Sequence, residues 1–261
     1  MSSNAMSPET VMDSSERPAM IRRFSGLRVA EHWSHVLLFA ALAMTGLSQK
    51  YYSLEPSQWF IISVGGIDAV RIIHRWAAVA FSALLSLHVI ATFMGIAFLK
   101  WQPSMLVTRR DIENAIHNIK YYCGLLQSRA RCGKYDYKQK FIYWLVITSA
   151  LMMASTGLAL WAPTKAAALL GGQAIPAAKA VHSNHAMLIL LLISVWHIYD
   201  SVFSPDVFPL DKSMFSGYIS RDRMLEEHPL ELARLEGCDP DELKGQDSGG
   251  GSREPAEGAP R

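Results

Sequence analysis

Apolar residues collect along the chain into four long blocks, which polar segments separate. The blocks cover about 29–48, 72–99, 141–161 and 181–203. A helix needs about 20 predominantly apolar residues to cross the hydrocarbon core of a bilayer, and each block reaches that length. The pattern therefore predicts an all-α membrane protein with four transmembrane helices.

Lys and Arg are unevenly distributed between the loops. The loop from 100 to 140 carries nine Lys or Arg residues against three acids, and several arginines precede the first block. The loops at 49–71 and 162–181 carry only two Lys or Arg each. Because cytoplasmic loops are enriched in Lys and Arg, we predict a four-transmembrane-helix bundle with both termini cytoplasmic.

The polar segments give the rest of the domain organisation. Residues 1–20 lack the apolar core of a cleavable signal and predict a disordered leader. Residues 21–220 form the membrane domain, 221–242 a charged, helical cytoplasmic tail, and 243–261 a disordered Gly/Ser/Pro/Glu segment.

A periodic stripe also lies in the long inner loop. Ile112, Ile116, Ile119, Tyr122 and Leu126 recur at helical spacing. They predict an amphipathic helix that lies on the membrane or against a partner.

Composition adds mainly exclusions. The formal net charge is only +2, and nothing indicates nucleic acid. The three cysteines occur singly, without a CxxC or CxxCH pattern. This argues against a zinc ribbon, a cysteine-ligated cluster and covalently attached c-type haem.

Histidines are concentrated in the apolar blocks. Seven of the nine lie there, and imidazole in an apolar bundle is costly unless its nitrogens are satisfied. The seven are His32, His35, His74, His88, His182, His185 and His197. A buried metal centre is the simplest explanation for this enrichment.

The fourth block is bracketed by His182 and His197, fifteen residues apart. On an α-helix this step is about 22 Å along the axis and about 60° of rotation, so both side chains can face the bundle interior. His185 lies about 120° away from His197. His182 is therefore the first candidate and His185 its rival.

The predicted orientation groups the histidines into two levels. His74 and His182 start helices that run inward, so both lie at the outer level, whereas His32, His88 and His197 lie at the inner level. Two histidines from different helices at one level suit the two axial positions of a haem iron. Glycines that could leave room for the macrocycle are Gly46, Gly95 and Gly157.

Several segments together resemble a known family. They read EHWSHVLLFAALAMTG, RIIHRWAAVAF, GKYDYKQKFIYW, TGLALW and WHIY. The chain resembles, over about 20–220, the cytochrome b subunits of membrane formate dehydrogenases and nickel-iron hydrogenases. Its end looks like a related branch of bacterial diheme b-type cytochromes.

The resemblance implies two haem b groups and a ligand set. Carried over, His32 pairs with His197 for the inner haem, and His74 pairs with His182 for the outer haem.

Two alternatives remain open. The family's pair on helix four is commonly fourteen residues apart instead of fifteen, which keeps His185 in play. The spacing of His74 and His88 also resembles the cytochromes b of bc1 and b6f complexes, which keeps His88 as an alternative inner ligand.

Arginines near each level are candidates for binding haem propionates by charge-assisted hydrogen bonds. Arg71 and Arg75 lie near the outer level and Arg28 near the inner level. The alternative is that these side chains simply extend toward lipid headgroups.

The resemblance also implies quinone chemistry at the inner level, with menaquinone or ubiquinone as substrate. By position, Tyr135, Asp136 and Gln139 at the entry to helix three could bind the quinone and exchange protons with it.

The function expected is electron transfer across the bacterial inner membrane, between a partner oxidoreductase on the outer side and the quinone pool. The expected partners are membrane lipid, an iron-sulfur or multihaem cytochrome c subunit, and a catalytic subunit, since the chain shows no catalytic residues of its own. The alternatives are a histidine-based metal or proton transporter and a non-redox membrane anchor.

Overall fold

A computed structural model describes residues 19–205 and 207–243. The segments predicted to be disordered, 1–20 and 243–261, lie outside the described residues except for their inner ends.

The described residues are mostly helical, with one short strand pair. In chain order the elements are β1 (Met20–Arg22), α1 (Gly26–Lys50), α2 (Glu55–Val64), α3 (Ile67–Leu99), α4 (Arg109–Tyr122), α5 (Tyr137–Trp161), α6 (Pro163–Leu170), α7 (Ala174–Leu192) with π-helical turns at Ile193–His197 and Tyr199–Phe203, α8 (Ser213–Ser216), β2 (Tyr218–Ser220), α9 (Arg221–Glu227) and α10 (Pro229–Glu236).

Within the described part of the chain, three helices are long and apolar enough to cross a membrane. They are α3, α5, and α7 together with its π-helical turns. Helix α1 occupies the first predicted block, but it carries Glu31, His32 and His35, and these polar side chains lower its mean hydropathy. Length and composition alone therefore support three spans.

Helix starts in the inner loop are fixed by side-chain caps. Helix α4 begins with a capping box in which the Asp111 carboxylate accepts from the Thr108 amide at 2.7 Å. Helix α5 begins with a second box, in which Asp136 accepts from the Gln139 amide at 2.7 Å. Such boxes satisfy backbone donors that a helix start leaves unpaired. Lys140 joins the two helices through a buried ion pair with Asp111 at 2.8 Å.

The long helices associate in two close pairs. Helix α1 packs along α3, and α5 packs along α7. The contacts from α3 to α5 and from α1 to α7 are much sparser. Histidines face each other across this looser seam between the two pairs.

Large apolar side chains cover the outside of the helices. Leu37 is 69% exposed, Trp76 66%, Phe93 67% and Leu151 67%. Surfaces of this kind are stable against lipid tails, whereas a soluble protein buries most such residues.

The predicted amphipathic helix is present as α4. Its stripe residues Ile112, Ile116, Ile119 and Tyr122 are all exposed on one helix. Leu126 follows the end of the helix.

The two ends of the described chain form one small unit, here called the terminal unit and composed of β1, β2, α9 and α10. Strand β1 pairs antiparallel with β2, with Ile21 opposite Ile219. Its buried core is formed by Ile219, Met224, Leu232, Ala233 and Leu243. Most of the segment predicted as a charged tail is thus folded into this unit.

Candidate functional site

The outer pair of predicted ligands meets across the seam. His74 lies on α3 and His182 on α7, and their ring centres are 6.4 Å apart with planes inclined by 72°. The structure therefore brings together the two histidines that the sequence assigned to the outer level.

The inner pair has nearly the same separation. His32 on α1 and His197 on the first π-helical turn have ring centres 6.2 Å apart, with planes inclined by 59°. The Nδ1 atom of His32 is buried and has no hydrogen-bond partner among the described residues. A buried imidazole of this kind needs a further partner.

Both separations fit an iron held between two imidazoles. An imidazole nitrogen lies about 2 Å from a bound first-row metal ion, and the ring centre lies roughly 1 Å further back. Two imidazoles on opposite sides of one iron therefore have ring centres about 6 Å apart. Both observed pairs have this separation, so the residues fit axial ligation of haem.

His88 has different partners. Its Nδ1 atom lies 2.5 Å from the Glu31 carboxylate and 2.7 Å from the Arg28 guanidinium. Its Nε2 atom lies 3.2 Å from the Tyr143 hydroxyl. Both ring nitrogens are engaged, and its described ring contact is with Tyr143.

His185 and His35 are also separate from the facing pairs. His185 lines a surface groove with Met152 and Leu188, and its Nε2 atom has no hydrogen-bond partner. His35 packs edge-on against Phe81 and contacts the Glu31 carbonyl through Nδ1.

A π-helical turn explains why His182 and His197 can be fifteen residues apart instead of fourteen. The turn at Ile193–His197 follows α7, lies between His182 and His197, and ends at His197. A π-helical turn contains one residue more than an α-helical turn. Fifteen residues can therefore cover the path that fourteen would cover on a regular helix.

The predicted propionate partners are held by protein groups. Arg28 pairs with Glu31 at 2.9 Å and Arg71 with Asp68 at 3.1 Å. The guanidinium carbon of Arg75 lies 5.6 Å from the centre of the Trp161 ring. The sequence did not indicate any of these partners.

The predicted quinone residues lie at the start of α5. Asp136 and Gln139 form the capping box, and burial raises the pKa of the Asp136 carboxyl above its usual range. Tyr135 lines a polar cavity of about 300 Å³, together with Lys140 and Glu231, and burial raises the pKa of its hydroxyl.

Asp200 links the start of α5 to the π-helical turns that follow α7. Its carboxylate lies 3.8 Å from the Lys138 ammonium group and accepts a hydrogen bond from the Trp196 indole at 3.1 Å. It follows His197 by three residues, so the start of α5 is close to the inner histidine pair. Asp200 was not among the predicted site residues, although an acid inside the fourth apolar block is a usable signal.

Among the described residues, glycines lie against the rings of the two outer histidines and of no other histidine. A Cβ atom on Gly46 would lie 3.4 Å from the His74 ring, and one on Gly157 would lie 3.2 Å from the His182 ring. Gly95 has another role, because a Cβ atom there would collide with Trp101.

Comparisons with known proteins match most of the chain. Residues 23–217 match the prokaryotic cytochrome b561 family. The chain is 26% identical over 223 residues to the nitrate-inducible formate dehydrogenase cytochrome b556(Fdn) subunit of Escherichia coli K12, covering 83% of this chain and 92% of the relative. It is 24% identical over 217 residues to the formate dehydrogenase cytochrome b556(fdo) subunit of the same organism, covering 82% and 92%.

These matches confirm the resemblance to the b-type cytochromes of formate dehydrogenases. They also confirm the predicted location in the bacterial inner membrane. The chain belongs to the prokaryotic cytochrome b561 family, as a membrane b-type cytochrome that takes part in electron transfer.

Proposed function

We propose that this chain is a diheme subunit that carries electrons across the membrane. The observation that carries the proposal is the presence of two histidine pairs with nearly equal ring separations, 6.4 Å and 6.2 Å. His74 and His182 would hold the outer haem b, and His32 and His197 the inner one. When bound, haem b supplies reversible one-electron chemistry.

The contacts of the other two candidate histidines, His88 and His185, favour the four proposed ligands. His88 is hydrogen-bonded on both nitrogens, to Glu31 and Tyr143, so it has no free lone pair directed at the seam. His185 faces a surface groove instead of His74. We therefore assign neither residue to an iron.

Helix α1 would be the fourth span. It packs along α3 and supplies His32, which faces His197 across the seam, whereas Glu31 and His35 contact His88 and Phe81 of α3. With Lys and Arg concentrated in the loop between α3 and α5, both termini would be cytoplasmic.

The partner would be a catalytic subunit with an iron-sulfur or multihaem cytochrome c subunit on the outer side. This rests on the names of the relatives, which are cytochrome subunits of formate dehydrogenases. A subunit of such a complex needs no catalytic centre of its own.

Quinone would be the redox partner at the inner level. Support comes from Lys138, which lies two residues after Asp136 and 3.8 Å from the Asp200 carboxylate, three residues after His197. A carboxyl whose pKa is raised can exchange a proton with the quinone closer to neutral pH than an ordinary Asp.

Haem counting tests the proposal. Purified parent protein should contain two b-type haems per chain by pyridine haemochrome and reduced-minus-oxidised spectra. His74→Ala and His32→Ala should each lose one haem, because each removes one axial nitrogen.

His88→Ala and His185→Ala are the matched controls, and both should retain two haems. A parent protein without b-type bands would refute the proposal. Loss of haem in a control with retention in its partner variant would overturn that ligand assignment.

A further inference from the structure

Each outer histidine rests on a Thr-Gly pair of the neighbouring helix. Thr45 on α1 lies 2.8 Å from His74 Nδ1 on α3, and Thr156 on α5 lies 2.9 Å from His182 Nδ1 on α7. The same arrangement thus occurs once in each close helix pair.

The hydroxyl hydrogens are already used within the helices. Thr45 Oγ1 donates to the Ala41 carbonyl at 2.6 Å, with the Leu42 carbonyl at 3.3 Å. Thr156 Oγ1 donates to the Met152 carbonyl at 2.7 Å, with the Met153 carbonyl at 3.3 Å. The two threonines therefore have the same geometry.

This geometry determines the histidine tautomer. A threonine hydroxyl has one hydrogen and two lone pairs, so a hydroxyl that donates to a carbonyl can only accept from the imidazole. Nδ1 must then carry the ring proton in both histidines. Nε2 keeps the lone pair that a metal ligand requires.

The adjacent glycines allow this contact. The Cε1 atom of each ring lies where a side chain at Gly46 or Gly157 would begin, at 3.4 Å and 3.2 Å. A larger residue at either position would push the ring away from the hydroxyl. Threonine and glycine together therefore fix both the proton position and the ring position.

The inner pair lacks this support on His32. Its Nδ1 atom is buried without a hydrogen-bond partner. The threonine contacts therefore distinguish the outer level from the inner one.

We propose that Thr45 and Thr156 are positioning residues of the outer haem, which hold both axial imidazoles with Nδ1 protonated and Nε2 directed at the iron. The inference rests on the proposed function, in which His74 and His182 are the axial ligands. A hydrogen bond from Nδ1–H to an acceptor makes the imidazole a stronger donor. A stronger donor stabilises the ferric state, so the threonines lower the reduction potential of the outer haem.

Valine substitutions test this inference, because valine keeps the shape of threonine and removes the hydroxyl. In redox titrations of purified protein, Thr45→Val and Thr156→Val should each raise the midpoint potential of one haem and leave the other unchanged. We expect a roughly tenfold change in the ratio of reduced to oxidised outer haem at fixed ambient potential. For a one-electron couple this corresponds to about 59 mV. The low-spin ferric EPR signal of the same haem should also move.

The chain offers a matched control on α5. Thr148 donates to the Trp144 and Leu145 carbonyls at 2.8 Å and 3.2 Å, but it is exposed and contacts no histidine. Thr148→Val should leave both potentials at the parent values. Thr45→Ser and Thr156→Ser keep the hydroxyl, so each should have the parent potential and EPR signal.

Unchanged potentials and EPR signals in both valine variants, with two haems retained, would overturn the inference. If a valine variant loses the outer haem, the serine variant at the same position shows whether the hydroxyl is what the haem requires. Two haems at the parent potentials support the inference, and loss of haem in the serine variant contradicts it. Failure of the proposed function looks different, since the parent protein would then lack b-type bands or His74→Ala would keep both haems.

Discussion

At the scale of single residues, Asp136 both caps helix α5 and carries the carboxyl proposed to exchange a proton with the quinone. Its carboxylate accepts the Gln139 amide and so begins α5. Burial raises its pKa, and Asp200 adds to the shift, although Lys138 and the backbone donors oppose it. An alanine substitution would remove the cap and the acid together, so it could not separate the two roles.

Asp136→Asn separates them. Asparagine is as good an N-cap as aspartate, so α5 should begin normally, but its amide cannot exchange a proton. We expect haem content and thermal stability to stay at parent values while quinol-driven haem reduction slows by roughly a hundredfold. Stopped-flow spectroscopy with a quinol analogue measures this rate.

Gln139→Ala is the complementary variant, because it removes the other half of the capping box and keeps the carboxyl. Because the proton-exchanging carboxyl remains, quinol-driven reduction should slow less than in Asp136→Asn. Parent-like turnover in Asp136→Asn would remove Asp136 from the proposed quinone site.

The sequence predicted the facing histidine pairs better than it predicted their surroundings. Residue type, helix position and level were sufficient to place His74 with His182. The choice against His88 depends on Glu31 and Tyr143, which come from two other helices. Contacts between distant helices have no local sequence signal, so His88 remained open.

At the scale of elements, the four apolar blocks predicted the four long helices, but the histidine spacing was converted to distance with α-helical geometry throughout. The chain after α7 departs from α-helical geometry, since π-helical turns occupy Ile193–His197 and Tyr199–Phe203. A π-helical turn leaves the apolar pattern almost intact, so periodicity does not reveal it. The short strands β1 and β2 were also missed, because their three-residue segments are about two hundred positions apart.

Deletion of Val195 tests the π-helical account of the fifteen-residue step. Val195 is exposed and lies inside the first π-helical turn. Removing one residue from a regular α-helix rotates everything that follows by about 100°. Removing it from a π-helical turn should leave an α-helical turn, with His197 still facing His32. We therefore expect the deletion variant to retain two haems.

Deletion of both Ser194 and Val195 is the control. It exceeds the one extra residue of the turn, so His197 should rotate away and the inner haem should be lost. Loss of the inner haem in the single deletion would show that the π-helical turn does not absorb the extra residue.

At the scale of the whole molecule, His228 joins three distant parts of the chain. Its Nδ1 atom donates to the Gly133 carbonyl at 2.7 Å, and its Nε2 atom accepts from the Arg23 guanidinium at 2.8 Å. It is only 1% exposed. The sequence treated this segment as a charged tail, because partners from residues 23 and 133 cannot be inferred from local composition.

His228 should make the terminal unit sensitive to acid. Burial, reinforced by Arg23, lowers its pKa to about 4, whereas an unfolded histidine titrates near 6.5. Above about pH 6.5 the imidazole is neutral in both states. Between about 6.5 and 4 only the unfolded unit gains the proton, so stability falls by about 3 kcal/mol over this interval. Hydrogen exchange of amides in β2 and α10, followed from pH 7 to 4.5 with α3 amides as internal reference, measures the loss.

The variant His228→Gln isolates this contribution, because glutamine can still donate to Gly133 and accept from Arg23 but does not titrate. Two carboxyl groups lie on or next to this unit: the Asp211 pKa is lowered to about 2, and burial raises the Glu227 pKa. Their contribution remains in the variant, so the difference between parent and variant belongs to His228. We expect the variant to keep much of its protection at pH 4.5, where the parent loses it. Equal loss in both proteins would mean that carboxyl groups, and not His228, control the acid sensitivity of the terminal unit.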